Sequence, residues 1–355
     1  MHLAARMLTV MPSRHLRLAI ALVALAGCVE DELELGTAEA ASTTTSLGSP
    51  VEVPADYPNF HTLIAQDPFH LEQGESVVFL SRGVTTSSDS EIRMQQLGIK
   101  CTDSDGDVVE NIYSTENRNG SSVHRAQHTR LLFTAPRSDD FTCWLYAGAK
   151  DFDGSNPSAF HTYLAGETYL SRSEAKAAGN GWRWGTENDP LYGESTEAVH
   201  VGPGLDAGTS EYALRSRRFQ VPADLPVIDT RFELELTTCK YGNSNCTSST
   251  RGSWWDQWDG STVDLQIYVQ QMASATSSTV CRLTTSPVQR VTIFAGEVHK
   301  KAHLVLDDVP VSSACPGRTF IVKALVTWIS ENPVRIEPGS EGRSRYSTGF
   351  AYGHL

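Results

Sequence analysis

The chain has 355 residues, a formal net charge of −13 and a mean hydropathy of −0.27. An acidic exterior repels a phosphate backbone, which needs clustered Lys and Arg to release its counterions, so nucleic acid is excluded as a partner. The length exceeds one typical core and predicts about two domains.

At the start, Arg14 and Arg17 precede the apolar run Leu18–Ala26, and Gly27 and Cys28 close it. Charge, a short apolar run and small residues in that order predict a secretory signal over residues 1–27, too short and wrongly flanked for a spanning helix. No later apolar run has the roughly 20 residues that crossing a bilayer requires. The ending Leu25-Ala26-Gly27-Cys28 resembles the lipobox of bacterial lipoproteins. That resemblance implies cleavage before Cys28, acylation of its thiol and the lipid bilayer as a partner. Cleavage would remove three arginines and no acids, taking the formal charge from −13 to −16. Val29 directly after the Cys resembles lipoproteins sent to the outer membrane in Gram-negative bacteria, which implies a cell-envelope location.

Residues 28–50 carry Glu30, Asp31, Glu32 and Glu34, then a Thr/Ser/Ala/Gly run without apolar period. Such a segment cannot bury enough surface to offset its ordering entropy and reads as a flexible tether.

From Val51 short apolar runs alternate with turn residues, and residues 51–166 read as a first antiparallel β-sandwich. Strands are predicted at Ser76–Leu80, Leu97–Cys101, Leu131–Phe133 and Phe141–Tyr146. Period-two alternation puts Leu97, Ile99 and Cys101 on one face, and Phe141, Cys143 and Leu145 on another. Residues 167–210 read as a connector, with a helical turn expected at Ser173–Gly179. Residues 211–355 read as a second sandwich. In Arg231–Thr237, Phe232, Leu234 and Leu236 alternate with Glu233 and Glu235, and further strands are predicted at Val263–Val269, Val288–Phe294, His303–Leu306 and Phe320–Ile329. The hexapeptide Val53-Pro-Ala-Asp-Tyr-Pro58 recurs as Val221-Pro-Ala-Asp-Leu-Pro226, which suggests that the halves are duplicates.

With Cys28 set aside for lipid, six cysteines remain: Cys101, Cys143, Cys239, Cys246, Cys281 and Cys315. An even set in an exported chain favours disulfides over metal or catalytic thiols. Sequence alone leaves the pairing open; grouping by half gives Cys101–Cys143, Cys239–Cys246 and Cys281–Cys315. Ser138-Asp139-Asp140-Phe141-Thr142-Cys143, with Cys143 42 positions after Cys101, resembles the corner before strand F of immunoglobulin-like domains. Phe141 stands where that family has Tyr, and no Trp lies between the two cysteines. The resemblance implies a disulfide across the sandwich core. Residues 76–350 also resemble uncharacterised exported β-rich proteins of soil bacteria, on Leu132-Phe133-Thr134-Ala135-Pro136, Phe141-Thr142-Cys143 and Thr237-Thr238-Cys239-Lys240-Tyr241-Gly242. That likeness implies fold and export, not activity.

Few motifs point to chemistry. His299 and His303, echoed by His124 and His128, have zinc-like spacing, but strand-forming neighbours put such a pair about 13 Å apart, and structural histidines are the expectation. Asp103, Asp105 and Asp107 resemble the start of a calcium loop. Val108 and Ser114 stand where that loop needs Gly and Glu, so a plain hairpin turn is the leading reading and a weak calcium site the alternative. Trp254, Trp255 and Trp258, and then Trp182 and Trp184, are the candidate ligand contacts, because aromatic faces on loops stack on sugar rings; the plainer alternative is core packing. Neither a Gly-x-Ser-x-Gly elbow nor a phosphate loop occurs. No cofactor is expected. The reading is therefore a non-catalytic, acylated envelope lipoprotein presenting two sandwiches to a glycan or protein. A secreted hydrolase with a site between the domains, and a structural envelope subunit, are the alternatives.

Overall fold

Apolar residues at every second position make strands, and a strand gains most when both of its faces find a partner layer. The computed structural model describes residues 42–87, 93–118, 125–151, 160–178, 183–184, 199–202, 209–216, 218–238, 260–294, 299–336, 339–340, 343–345 and 347–353. Among them there is no helix, and the fold is all-β.

The first half supplies β1 (Thr43–Ser46), β2 (Val51–Pro54), β3 (His61–Ala65), β4 (Phe69–Leu71), β5 (Ser76–Ser87), β6 (Arg93–Thr102), β7 (Val108–Arg118), β8 (Arg125–Thr134), β9 (Asp139–Asp151), β10 (Phe160–Tyr163) and β11 (Tyr169–Ala177). The second supplies β12 (Arg183–Trp184), β13 (Val199–Val201), β14 (Ser210–Arg215), β15 (Phe219–Gln220), β16 (Val227–Thr238), β17 (Ser261–Met272), β18 (Val280–Thr285), β19 (Gln289–Ile293), β20 (His299–Pro310), β21 (Thr319–Glu331), β22 (Val334–Ile336), β23 (Gly339–Ser340), β24 (Arg343–Arg345) and β25 (Thr348–Gly353).

A five-stranded sheet, β3-β9-β6-β7 with β4 beside β9, faces β5 and β8 of a twelve-stranded sheet. Val77, Phe79, Leu131 and Phe133 from one side, and Leu97, Ile99, Phe141 and Leu145 from the other, fill the core between them. A six-stranded sheet built on β14-β21-β17-β18 faces β16, β20 and β25 of the same twelve-stranded sheet. Phe232, Leu234 and Leu304 meet Leu265, Ile267, Val322 and Val326 in that second core. Val53 and Val221, which open the repeated hexapeptide, are buried one in each core.

Residues Ser173–Gly179 depart from the helical turn expected of them. Tyr169–Ala177 is a strand, paired with β5 through Ala175 and with β25 at Lys176 and Ala177. Leu170 and Ala175 are buried on opposite sides, the first in the core of the first half and the second against β25. Tertiary partners on both faces override a weak local helical preference.

Through β11 and β25 the twelve-stranded sheet brings its two portions into contact. Val78, Leu132, Ala175, Phe350 and Tyr352 pack together on the faces turned away from the two cores. β16 is consequently buried on both faces: Phe232, Leu234 and Leu236 on one, Arg231, Glu233 and Glu235 on the other. Alternation set Glu233 and Glu235 on the face opposite Phe232 and Leu234, and a further layer covers that face too.

Cys101 bonds Cys143 and Cys281 bonds Cys315. The first pair corrects the immunoglobulin-like expectation. Cys101 and Cys143 lie directly opposite on neighbouring strands β6 and β9, so the bridge ties one sheet and does not cross the core. Both sulfurs still face inward, as the alternation required. Cys28, Cys239 and Cys246 lie outside the described residues.

Candidate functional site

Where the two stacked portions meet, the apolar contact of Val78, Leu132 and Phe350 gives way to ionisable side chains. Arg82, His128 and Arg130 come from β5 and β8, whose inward neighbours Leu131 and Phe133 fix the opposite orientation. Arg231, Glu233 and Glu235 come from β16, and Lys301 and His303 from β20, by the same alternation against Phe232, Leu234, Ala302 and Leu304.

The partners across this seam are specific. Lys301 Nζ lies 3.8 Å from Glu235 Oε2, with both side chains 1% exposed. His303 Nδ1 lies 3.3 Å from Glu233 Oε1. Arg231 ion-pairs with Asp307 and donates a hydrogen bond to the Tyr352 hydroxyl at 3.0 Å. The His128 and His303 rings meet edge to face, centroids 5.5 Å apart.

Burial sets the protonation states. It pushes His128 down to about 3, helped by the positive potential of His303, Arg130 and Arg82. It lowers His303 as well, against the opposing pull of Glu233. Burial also lowers Arg130, with the Glu233 carboxylate the leading opposing influence. At neutral pH both rings are uncharged spacers between ion pairs. The chemistry this allows is cohesion of two layers, since the charged groups are directed at each other.

A second polar cluster lies at the far end of the first half, in the turn after β6. Asp103 Oδ1 accepts the Asp107 N–H at 2.9 Å, and Gly106 adopts φ +84°, as the hairpin reading of Asp103, Asp105 and Asp107 requires. Arg137 Nη2 donates to Asp103 and Asp105, at 2.9 and 3.1 Å, and its Nε donates to Asp139 at 2.9 Å. A guanidinium thus occupies the position between carboxylates where a cation would sit. Asp139 is pulled down to about 2, first by a hydrogen bond from Ser104 and also by Arg137.

Nearby, His70 Nδ1 is 2.9 Å from Asp140 and its Nε2 is 3.4 Å from the Ser138 hydroxyl. The order of these three groups is that of a nucleophile triad, but two observations oppose the chemistry. Ser138 donates its proton to Glu72 at 2.7 Å, and Asp140 with Glu72 raises His70, which favours a cation over a base. All of these side chains stand in solvent, where an oxyanion gains little from fixed donors.

His299 and His303 share one face of β20 but take separate partners, His299 Nδ1 meeting Thr237 Oγ1 at 2.7 Å. Burial pushes His299 down to about 4. Among the described residues no group of three or more His, Cys, Asp or Glu side chains is placed to hold a metal ion. His124, Trp182, Trp254, Trp255 and Trp258 lie outside the described residues, as does the side chain of Trp184, whose backbone pairs with Gly349. The residues that flank Trp254–Trp258 are described. Thr238 ends β16, Ser261 begins β17 in the facing sheet, and the two buried hydroxyls touch. The seam itself was not anticipated; the pairing of Lys301 in a strand pattern with two glutamates one strand away was its only trace in the sequence.

The fold and its bridges define an all-β, disulfide-bonded protein of antiparallel sheets packed in sandwich fashion around two cores. No protein-family model matches the chain, and no curated protein matches it. Among solved structures it is similar to a chain of infectious bursal disease virus strain Gt (8% identity, TM-score 0.32), with 89% of this chain covering 46% of that one. It is also similar to the tandem CBM22-1-CBM22-2 domains of Paenibacillus barcinonensis Xyn10C (9% identity, TM-score 0.24, 89% of this chain and 100% of that one). A third is a protein of Parabacteroides distasonis thought to be secreted (8% identity, TM-score 0.20, 87% and 88%). This chain thus spans less than half the length of the viral chain it matches. Likenesses this distant carry no activity or ligand across.

Proposed function

We propose that this chain is a non-catalytic, lipid-anchored envelope protein whose sandwich body presents the Trp254–Trp258 segment to a glycan. The observation that carries the reading is the meeting of Thr238 and Ser261. These residues belong to strands in facing sheets, so the two ends that flank 239–259 are held together at one buried point. Binding residues belong on segments held by a rigid scaffold, and Phe232, Leu234, Val263 and Leu265 supply one directly below. Trp faces bind the apolar faces of sugars, and Asp256, Gln257 and Asp259 offer partners for their hydroxyls.

The test is a thermal-shift screen of the full-length protein in detergent against neutral oligosaccharides. A ligand at a hundredfold excess over its dissociation constant stabilises by about 2.7 kcal/mol. That shift is expected to vanish in Trp254→Ala and Trp255→Ala; hits that survive both variants would defeat the reading. Anchoring is tested separately, since two acyl signals suffice for stable attachment. Cys28→Ala should move the folded protein from the membrane fraction to the soluble one, and membrane retention would overturn the lipoprotein assignment.

A further inference from the structure

The outer face of the β14-β21-β17-β18 sheet carries a pattern that the cores and the seam leave unexplained. Its inner face is fixed by Leu265, Ile267, Val269, Val322, Ala324 and Val326, all buried in the second core. Alternation turns Gln266, Tyr268 and Gln270 of β17, and Lys323 and Leu325 of β21, the other way. Cross-strand register then sets Leu325 between Tyr212 and Gln266, and Tyr268 between Lys323 and Thr285. The Tyr212 and Tyr268 rings meet edge to face at 6.1 Å. Tyr268 donates its hydroxyl proton to Gln266 Oε1 at 2.9 Å, and Gln266 Nε2 donates to the Ser286 carbonyl at 2.8 Å. Gln266 thereby fixes Tyr268 in place.

Two further observations specify the ligand. The Lys323 ammonium lies 4.6 Å from the Tyr212 ring centroid, has no carboxylate within ion-pair reach among the described residues, and is the cross-strand neighbour of Arg215. Burial and the Arg215 cation both lower its pKa, so an anion placed there would relieve the site. The adjacent cations Lys323 and Arg215 are complementary to an anionic ligand. Secondly, Gln266, Tyr268 and Gln270 of β17 and Lys323 of β21 place polar groups along the face around Leu325 and Ile321, and the exposed Leu283 lies at its edge on β18. Tyrosine rings separated by amide and hydroxyl groups suit a hydroxylated chain.

We infer that this face, centred on Tyr212, Tyr268 and Lys323, binds an acidic polysaccharide, with the tyrosine rings against sugar faces, Lys323 on a uronate carboxylate and Gln270 and Thr285 on hydroxyls. The inference rests on the glycan reading above and adds a second site and a charge requirement. Full-length protein in detergent is titrated with polygalacturonate and with neutral dextran. Binding to polygalacturonate alone is expected, weakening with added salt as the Debye length shortens. Tyr212→Ala and Lys323→Ala, both at exposed or half-exposed positions, should each weaken it about tenfold or more, as loss of a central contact does. Lys323→Arg should retain binding, and melting temperatures should not change. Unchanged affinity in both alanine variants overturns the inference, as does failure to bind any acidic polysaccharide or capture of a protein alone by this face. Trp254→Ala separates the two readings. Loss of polygalacturonate binding in that variant, with full binding in the face variants, assigns the ligand to the Trp segment and removes it from this sheet.

Discussion

His128 and His303 approach edge to face, centroids 5.5 Å apart, each from a different portion of the twelve-stranded sheet. Arg82 and Arg130 flank the pair from β5 and β8, Glu233 and Arg231 from β16, Lys301 from β20 and Tyr352 from β25. Both rings are held uncharged, and that has a consequence for stability against pH.

An unfolded imidazole titrates near 6.5, whereas burial holds His128 near 3 and lowers His303. The unfolded chain therefore binds protons that the folded one refuses. The stability contribution is fully present above pH about 6.5 and is lost as pH falls below it, down to about 3 for His128, by up to about 1.4 kcal/mol per pH unit for each ring. Urea titrations at pH 7.5, 6 and 5 should show this slope, and His128→Gln should flatten it. An equal slope in the variant would remove His128 from the account.

Lys301 and Glu235 are so deeply buried that neither can find water when its partner is removed. Lys301→Met is expected to cost about 3–5 kcal/mol, because it leaves a buried carboxylate uncompensated. Replacing both, as Lys301→Met with Glu235→Leu, should recover most of that loss, since a buried ion pair exchanges for apolar side chains of similar volume at little or no cost. Equilibrium denaturation of the single and double variants measures both values.

Gly260 directly precedes Ser261, the first residue of β17. A Cβ there would meet the Ile293 carbonyl oxygen at 2.0 Å and Glu331 at 3.2 Å. Gly260→Ala should destabilise by about 1–3 kcal/mol, as overpacking does. Gly48→Ala, with nothing within 4 Å, is the control and should be close to neutral. Similar midpoints for the two variants would show that this position has slack.

Arg137 bridges Asp103, Asp105 and Asp139. Removing it in Arg137→Ala leaves three carboxylates near one another, a set of hard oxygen ligands without its counter-ion. Millimolar calcium should then raise the melting temperature of the variant more than that of the parent. Equal responses would mean that the turn geometry does not suit calcium with or without the arginine.

Much of the strand pattern was legible because each half has one face in a core. Val263, Leu265, Ile267 and Val269 alternate in β17 and do point inward together. The same rule left the surroundings of Glu233 and Glu235 open, because alternation reports that two faces differ in polarity, not that one of them is wet. A layer from the other half of the chain covers the polar face, and its residues lie a hundred positions away in sequence. Cys101 and Cys143 show a related limit. Period two identified their inward direction, but the same inward direction serves two strands of one sheet or of two. At Ser173–Gly179 local preference pointed to a turn of helix, and pairing with β5 prevailed. On the outer face of the six-stranded sheet, Tyr212 and Tyr268 lie far apart in sequence, and only strand order brings them together.

The position of β25 in the chain bears on the order of events during synthesis. This strand pairs with β16, β11 and β12, and it contributes Ala351 to the second core and Phe350 and Tyr352 to the seam. Yet it is the latest made of the described strands. As the chain emerges, β3 to β9 can collapse around Phe79, Leu97 and Phe141, while Arg130 and His128 remain hydrated. Domains fold as units in the order of their synthesis. Here the final few strands must arrive before those charges can leave water, which makes the closing of the seam the natural last step in maturation.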